Sequence, residues 1–195
     1  MNTLLRIDSS IRLEDSYSRT LGDYFVHLWT TKHTNSSVIQ RDTVTQPVPH
    51  LTQQTFAAFY DDRFYPGYLH LSDVWIDELY RCTEILILCP MYNYGIPSAL
   101  KAYFDHVIRT EKTFTSDNGI KGLLSNKKAH IITVSGGIHS IEGRNPMENH
   151  LTCILNHLGI TDINYFPLEG IALSDQTSAK TDLVKTQINK YLNFS

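Results

Sequence analysis

"ILILCPMYNYGIPSALKAYFD", residues 85–105, changes its periodicity in the middle. Residues 85–91 are almost continuously apolar, the pattern of a strand covered on both faces. From Pro97 onward, Leu100, Phe104, Val107 and Ile108 recur at helical spacing, and the proline falls close to the first turn, where its missing N–H costs nothing. Strand, turn and helix follow each other with no room for a hairpin partner. The chain must therefore cross over before the next strand, as in a parallel sheet.

The same rhythm extends in both directions. "LLRI" (4–7) is a short strand that ends in Asp8, Ser9 and Ser10, and Leu21, Phe25, Leu28 and Trp29 mark the helix after it. "SVIQRD" (37–42) is a weaker strand, and "QPVPHL" (46–51) is a loop because of its two prolines. A short helix is expected near 52–60. The stretch 71–84 predicts a helix capped by Ser72 or Asp73, with Val74, Leu79 and Cys82 inward and Trp75 in the core. "AHIITV" (129–134) is a strand that runs into Ser135, Gly136 and Gly137. The helix over 147–159 is closed by Gly159. "INYFPLEGI" (163–171) is a strand that Pro167 assigns to an edge or a bulge, and 179–194 is a closing helix. The expected fold is α/β, a doubly wound five-stranded parallel sheet with helices on both faces, in one domain spanning 1–195.

Composition excludes several classes. At 195 residues and 42% hydrophobic, the chain can build a core without disulfides. Cys82, Cys89 and Cys153 form no C-x-x-C pair, and Cys89, at the end of a buried strand, reads as core rather than nucleophile. Net charge is −3 with the basic residues scattered, so nucleic acid is not an expected partner. No stretch reaches the length of a membrane span, and the N-terminus lacks a signal-peptide core. The expectation is a soluble cytoplasmic protein. His139, Glu142 and His150 share no compact spacing, so no metal is expected.

An open parallel sheet binds ligands beyond the carboxyl ends of its strands, where the winding reverses. Three loops there are chemically rich. The first carries Ser10, Ser16, Tyr17 and Ser18 at the start of a helix, a phosphate cradle of hydroxyls and N–H groups; the same serines serve equally as caps and turn formers. It lacks G-x-x-x-x-G-K-[ST] and G-x-G-x-x-G, which disfavours a triphosphate or a pyrophosphate and leaves a monophosphate. The second presents Met91, Tyr92, Asn93 and Tyr94, suited to a flat heteroaromatic ring with hydrogen-bonding edges, or to plain packing. The third has Ser135, then Gly136 and Gly137, which permit close backbone approach or simply a turn, with His139 beyond. A monophosphate joined to a flat, hydrogen-bonding ring system describes FMN.

The motifs "SSIRLEDSYSRTL", "RDTVTQPVPHL", "PMYNYGIPSALKAYFDHVIRTEKTF", "GIKGLL", "GGIH" and "LGITDI" resemble those of the FMN-dependent NADH azoreductase and quinone reductase family, of flavodoxin-like fold. The resemblance implies that Ser10, Ser16, Tyr17 and Ser18 hold the phosphate and that Met91, Tyr92, Asn93 and Tyr94 line the isoalloxazine. Ser135, Gly136, Gly137 and His139 would meet its other edge, with Asn93 and His139 in catalytic roles, the Asn93 amide facing N5. It further implies NADH or NADPH as donor, a quinone or azo compound as acceptor at the same face in ping-pong turnover, and a homodimer. Three features depart from the family pattern. Ser135 replaces a frequent arginine, the segment 115–122 lacks an expected aromatic, and His157 stands where an apolar aromatic is common. The aromatic segment 52–71 reads as partner-facing, as a lid, or as ordinary core. Two other readings compete: an electron carrier of flavodoxin type without a substrate site, and an FAD-dependent quinone reductase.

Overall fold

The computed structural model describes residues 1–61, 63, 67–116, 119–140, 145–173 and 175–194. Five parallel strands, β1 (Asn2–Asp8), β2 (Ser36–Asp42), β3 (Glu84–Pro90), β6 (Lys128–Val134) and β7 (Asp162–Leu168), form one sheet in the order β2-β1-β3-β6-β7. Helices α1 (Tyr17–Lys32), α2 (Gln53–Ala58), α3 (His70–Arg81), α4 (Ser98–Val107), α5 (Pro146–Leu158) and α6 (Thr177–Phe194) connect and cover them. Two short strands, β4 (Phe114–Thr115) and β5 (Lys121–Gly122), pair as an antiparallel ribbon that the sequence pattern does not announce.

Strand alternation sorts the core into two layers. On β3, Ile85, Ile87 and Cys89 join the cluster built with α3, α4 and α5, whereas Leu86 and Leu88 join the cluster built with α1 and α6. β1 divides in the same way, Leu5 and Ile7 to one side and Leu4 to the other. A run that is apolar at every position is thus required by helices on both faces. Trp29 and Trp75 are buried, one in each layer. Pro167 sits on β7, which among the described residues pairs with β6 alone, so its missing N–H removes no ladder bond from a central strand.

The expected helix over 71–84 needs correction at its start. α3 begins at His70 after Leu69, which makes no side-chain cap bond, and both expected caps lie inside it. The Ser72 hydroxyl donates to the carbonyl of His106 at 2.6 Å, and Asp73 accepts from Arg109 at 2.6 Å. Val74 is exposed, and Trp75, Ile76 and Leu79 form the apolar part of the buried face. Glu142 and, in the segment 52–71, Asp62, Phe64, Tyr65 and Pro66 lie outside the described residues, as do Asp117 and Asn118.

Candidate functional site

β1 has β2 on one side and β3 on the other, so the winding reverses between β1 and β3, and the crevice above these two strand ends is the expected ligand position. The loops after β1, β3 and β6 converge there on a cleft of about 120 Å³. Ser10, Ser16, Tyr17 and Ser18 line one wall, Met91 and Tyr92 another, and Gly136 the third. A larger hollow of about 450 Å³ between α1 and α6 includes no residue of the loops after β3 or β6, so the site is assigned to the smaller cleft.

The serines form one buried hydroxyl cluster. Ser16 Oγ donates to Ser10 Oγ at 3.0 Å and lies 3.2 Å from Ser18 Oγ. Ser16 is also the N-cap of α1, its hydroxyl accepting from the N–H of Arg19 at 3.5 Å, which aims the positive end of a 16-residue helix at the cluster. Three serine hydroxyls, each able to turn its O–H, together with the N–H groups of the first helical turn form a donor set that can face the acceptor oxygens of an anion. A phosphate monoester supplies those acceptors, and its charge suits the helix end. At 120 Å³ the cleft is below the size that encloses a drug-sized ligand, so it would hold the phosphate end while a larger ring system lay along the rim.

The rim is shaped by backbone as much as by side chains. Tyr92 and Gly95 exchange two N–H···O bonds at 3.1 Å, closing a two-residue hairpin whose tip residues have φ of 48° at Asn93 and 64° at Tyr94. Two successive left-handed residues are the signature of a tight primed turn, and a bulky residue in that region is strained. The result is a Tyr94 side chain left 78% exposed. Its ring meets that of His139 edge to face, centroids 6.0 Å apart at 86°. The loop bearing His139 is held from below by Glu169, whose carboxylate accepts from the His139 and Ser140 N–H groups at 3.2 Å each and from Ser140 Oγ at 2.6 Å. Burial, and then the nearby Glu169 charge, push the Glu148 carboxyl up against the opposing pull of Asn145.

Of the predicted site residues, Ser10, Ser16, Tyr17, Ser18, Met91, Tyr92 and Gly136 line the cleft. Asn93, Tyr94 and His139 stand at its rim rather than in it. Ser135 is buried, and its hydroxyl donates to the carbonyl of Gly137 at 2.8 Å, so it braces its own loop. His157 packs against Phe114 of β4, the rings tilted at 57° with centroids 4.4 Å apart. Burial pushes the Cys89 thiol far up, which leaves no nucleophilic thiolate there. Arg12, Asp15, Pro90, Val134 and Ile171 also line the cleft, beyond the residues the sequence points to. Arg12 sits in a loop whose sequence signal is its hydroxyls, and Ile171 lies beyond β7, which ends at Leu168 rather than at the expected 171.

A sequence profile of the flavodoxin-like fold matches residues 2–192. The FMN-dependent NADH:quinone oxidoreductase of Herminiimonas arsenicoxydans is 36% identical, over 98% of this chain and 99% of its own. The chain belongs to the FMN-dependent NADH:quinone oxidoreductase family. Another such oxidoreductase, from Hydrogenovibrio crunogenus, is 38% identical over 88% of this chain and 90% of its own. The crystal structure of an FMN-dependent NADH-azoreductase from Bacillus anthracis, in complex with FMN, superposes with a TM-score of 0.89 at 21% identity, covering 98% of each chain, and so shares the fold. In this quinone oxidoreductase family member the cleft lies at the switch point of the sheet, between the ends of β1 and β3.

Proposed function

We propose that the chain is an FMN-dependent NADH:quinone oxidoreductase that also reduces azo compounds, acting as a cytoplasmic homodimer by ping-pong turnover. The observation that carries this reading is the Ser10–Ser16–Ser18 cluster at the α1 N-terminus, in the crevice between β1 and β3. When bound, FMN supplies the chemistry, taking an electron pair from a reduced nicotinamide and delivering it to the acceptor. The chain's own residues bind and orient. Ser10, Ser16 and Ser18 would hold the phosphate, Met91 and Tyr92 would lie beside the ring, and the Asn93–Tyr94 tip and the loop of Gly136, Gly137 and His139 would offer N–H groups and an imidazole to its polar edges. No carboxylate–histidine relay is required. The whole chain, 1–195, is read as one FMN-binding domain.

Phe56 and Tyr60 support the homodimer. They are 50% and 70% exposed, and their rings meet edge to face at 5.4 Å, an aromatic pair facing water on one protomer. No helix among the described residues is long and apolar enough to cross a membrane.

The test is NADH oxidation by the purified protein with a quinone and an azo dye offered in parallel, alongside the identity of the flavin released by heat. Released FMN, turnover with both acceptors and parallel double-reciprocal lines are expected. Released FAD, or a bound flavin that NADH does not bleach, would favour the FAD enzyme or the electron carrier. Light scattering on the same sample reports the dimer.

A further inference from the structure

Arg19, in the first turn of α1, does not line the cleft but lies directly behind its first loop. Its Nη2 donates to the carbonyl of Ser10 at 2.9 Å and its Nε to the carbonyl of Arg12 at 3.1 Å. The same guanidinium forks onto Asp42 at the end of β2, with Nη1 to Oδ2 at 2.7 Å and Nη2 to Oδ1 at 3.2 Å. Asp8, at the end of β1, adds an oxygen 3.6 Å from Nη1. Asp42 is fixed in turn by the N–H groups of Val44 and Thr45 at 2.9 and 3.2 Å. Burial alone would push its carboxyl up, but the Arg19 bond and these N–H groups hold it below the ordinary value.

A trans peptide unit points its C=O and its N–H in opposite directions. Drawing the Ser10 carbonyl back onto Arg19 therefore turns the Ile11 N–H forward, and that N–H donates to the hydroxyl of Tyr92 in the cleft wall at 3.1 Å. Drawing back the Arg12 carbonyl turns the Leu13 N–H away from Arg19 by the same geometry. A rigid fork anchored on a carboxylate at a strand end is suited to holding two loop carbonyls, those on either side of Ile11, in register, because it brings several donors in one plane. We infer that Arg19, clamped by Asp42, is a positioning residue that sets the first loop for a phosphate and so determines the preference for FMN over riboflavin. This rests on the reading of the cleft as a flavin phosphate site.

The test is binding of FMN and of riboflavin to the full-length, flavin-stripped protein, followed by flavin fluorescence, for wild type and Arg19→Lys. Lysine keeps the charge but loses the fork. The expected result is an FMN Kd raised about tenfold, with the riboflavin Kd changed by less than about twofold. A variant whose two Kd values rise together, or in which neither changes, overturns the inference, since a general loss of structure does not single out the phosphate. Should Arg19→Lys fail to fold, Asp42→Asn leaves the arginine and weakens its anchor; the same selective loss is expected at about threefold, and an equal effect on both flavins overturns the inference. Failure of the underlying reading is separately visible, because wild type itself would then show no preference for FMN, and the inference would fall with it.

Discussion

Tyr92 and Ile11, 81 residues apart in the chain, are joined by a hydrogen bond of 3.1 Å from the Ile11 N–H to the Tyr92 hydroxyl. The same hydroxyl lies 3.4 Å from Ser10 Oγ. The loop after β3 is thereby tied to the loop after β1 across the cleft. Each half of the cleft sets the other.

Tyr92→Phe removes this tie while keeping the ring. The Ile11 N–H loses its acceptor, and one neutral hydrogen bond is worth about 0.5–1.5 kcal/mol net. Weaker FMN binding by about 2- to 10-fold is expected by fluorescence titration, with little change in thermal stability. An unchanged Kd would mean that the two loops hold their places independently.

Gly159→Ala tests the packing at the far end of α5. Gly159 has φ of 92°, and a Cβ there would come within 2.9 Å of the Gly122 backbone on β5. Alanine is strained in that conformation and would also push the ribbon off the helix. A loss of about 2–4 kcal/mol in unfolding free energy is expected from urea titration. A loss below about 1 kcal/mol would show that the ribbon moves aside freely.

How much of this was legible in the sequence follows from the range of the interactions. The strands were readable because burial on both faces writes itself into every residue, as in residues 85–91. The start of α3 was not, because Ser72 and Asp73 look like caps until their partners, His106 and Arg109, are brought in from 34 and 36 residues away. The β4–β5 ribbon has two residues per strand, too few to carry a period. The serine cluster was legible as a local motif. Glu169, which supports the His139 loop from 30 residues downstream, carries no local signal at all.

The opposite end of the strands, where Glu84 opens β3, predicts an acid-sensitive stability. Burial raises the Glu84 carboxyl, but the hydrogen bond from His130 at 2.7 Å and the charges of His130 and His33 outweigh it, leaving the group below its ordinary value of 4.5. A carboxylate lowered on folding stabilises the native state above its unfolded pKa, and that contribution is lost as pH falls through the folded value. Unfolding free energy is therefore expected to fall below about pH 4.5. Glu84→Gln should be less stable than wild type at pH 7 and should show a flatter decline from pH 5 to 3. Parallel acid limbs for the two proteins would place the titrating group elsewhere.

His139→Ala tests the rim. The imidazole meets Tyr94 edge to face, and its loop is anchored on Glu169, so its position is set from both sides. If the rim orients the ring edge of a bound flavin, removing the imidazole loosens both that contact and the Tyr94 tip, whose left-handed backbone makes it dependent on support. An edge-to-face aromatic pair is worth about 0.5–1.5 kcal/mol, so a 2- to 10-fold loss is expected in FMN retention or in the rate at which NADH bleaches the holoprotein. Glu169→Gln, which keeps the shape and one acceptor oxygen, should produce a smaller loss of the same kind. If His139→Ala leaves both retention and bleaching rate at wild-type values, the histidine has no part in the site, and the backbone of Gly136 remains as the contribution of that loop.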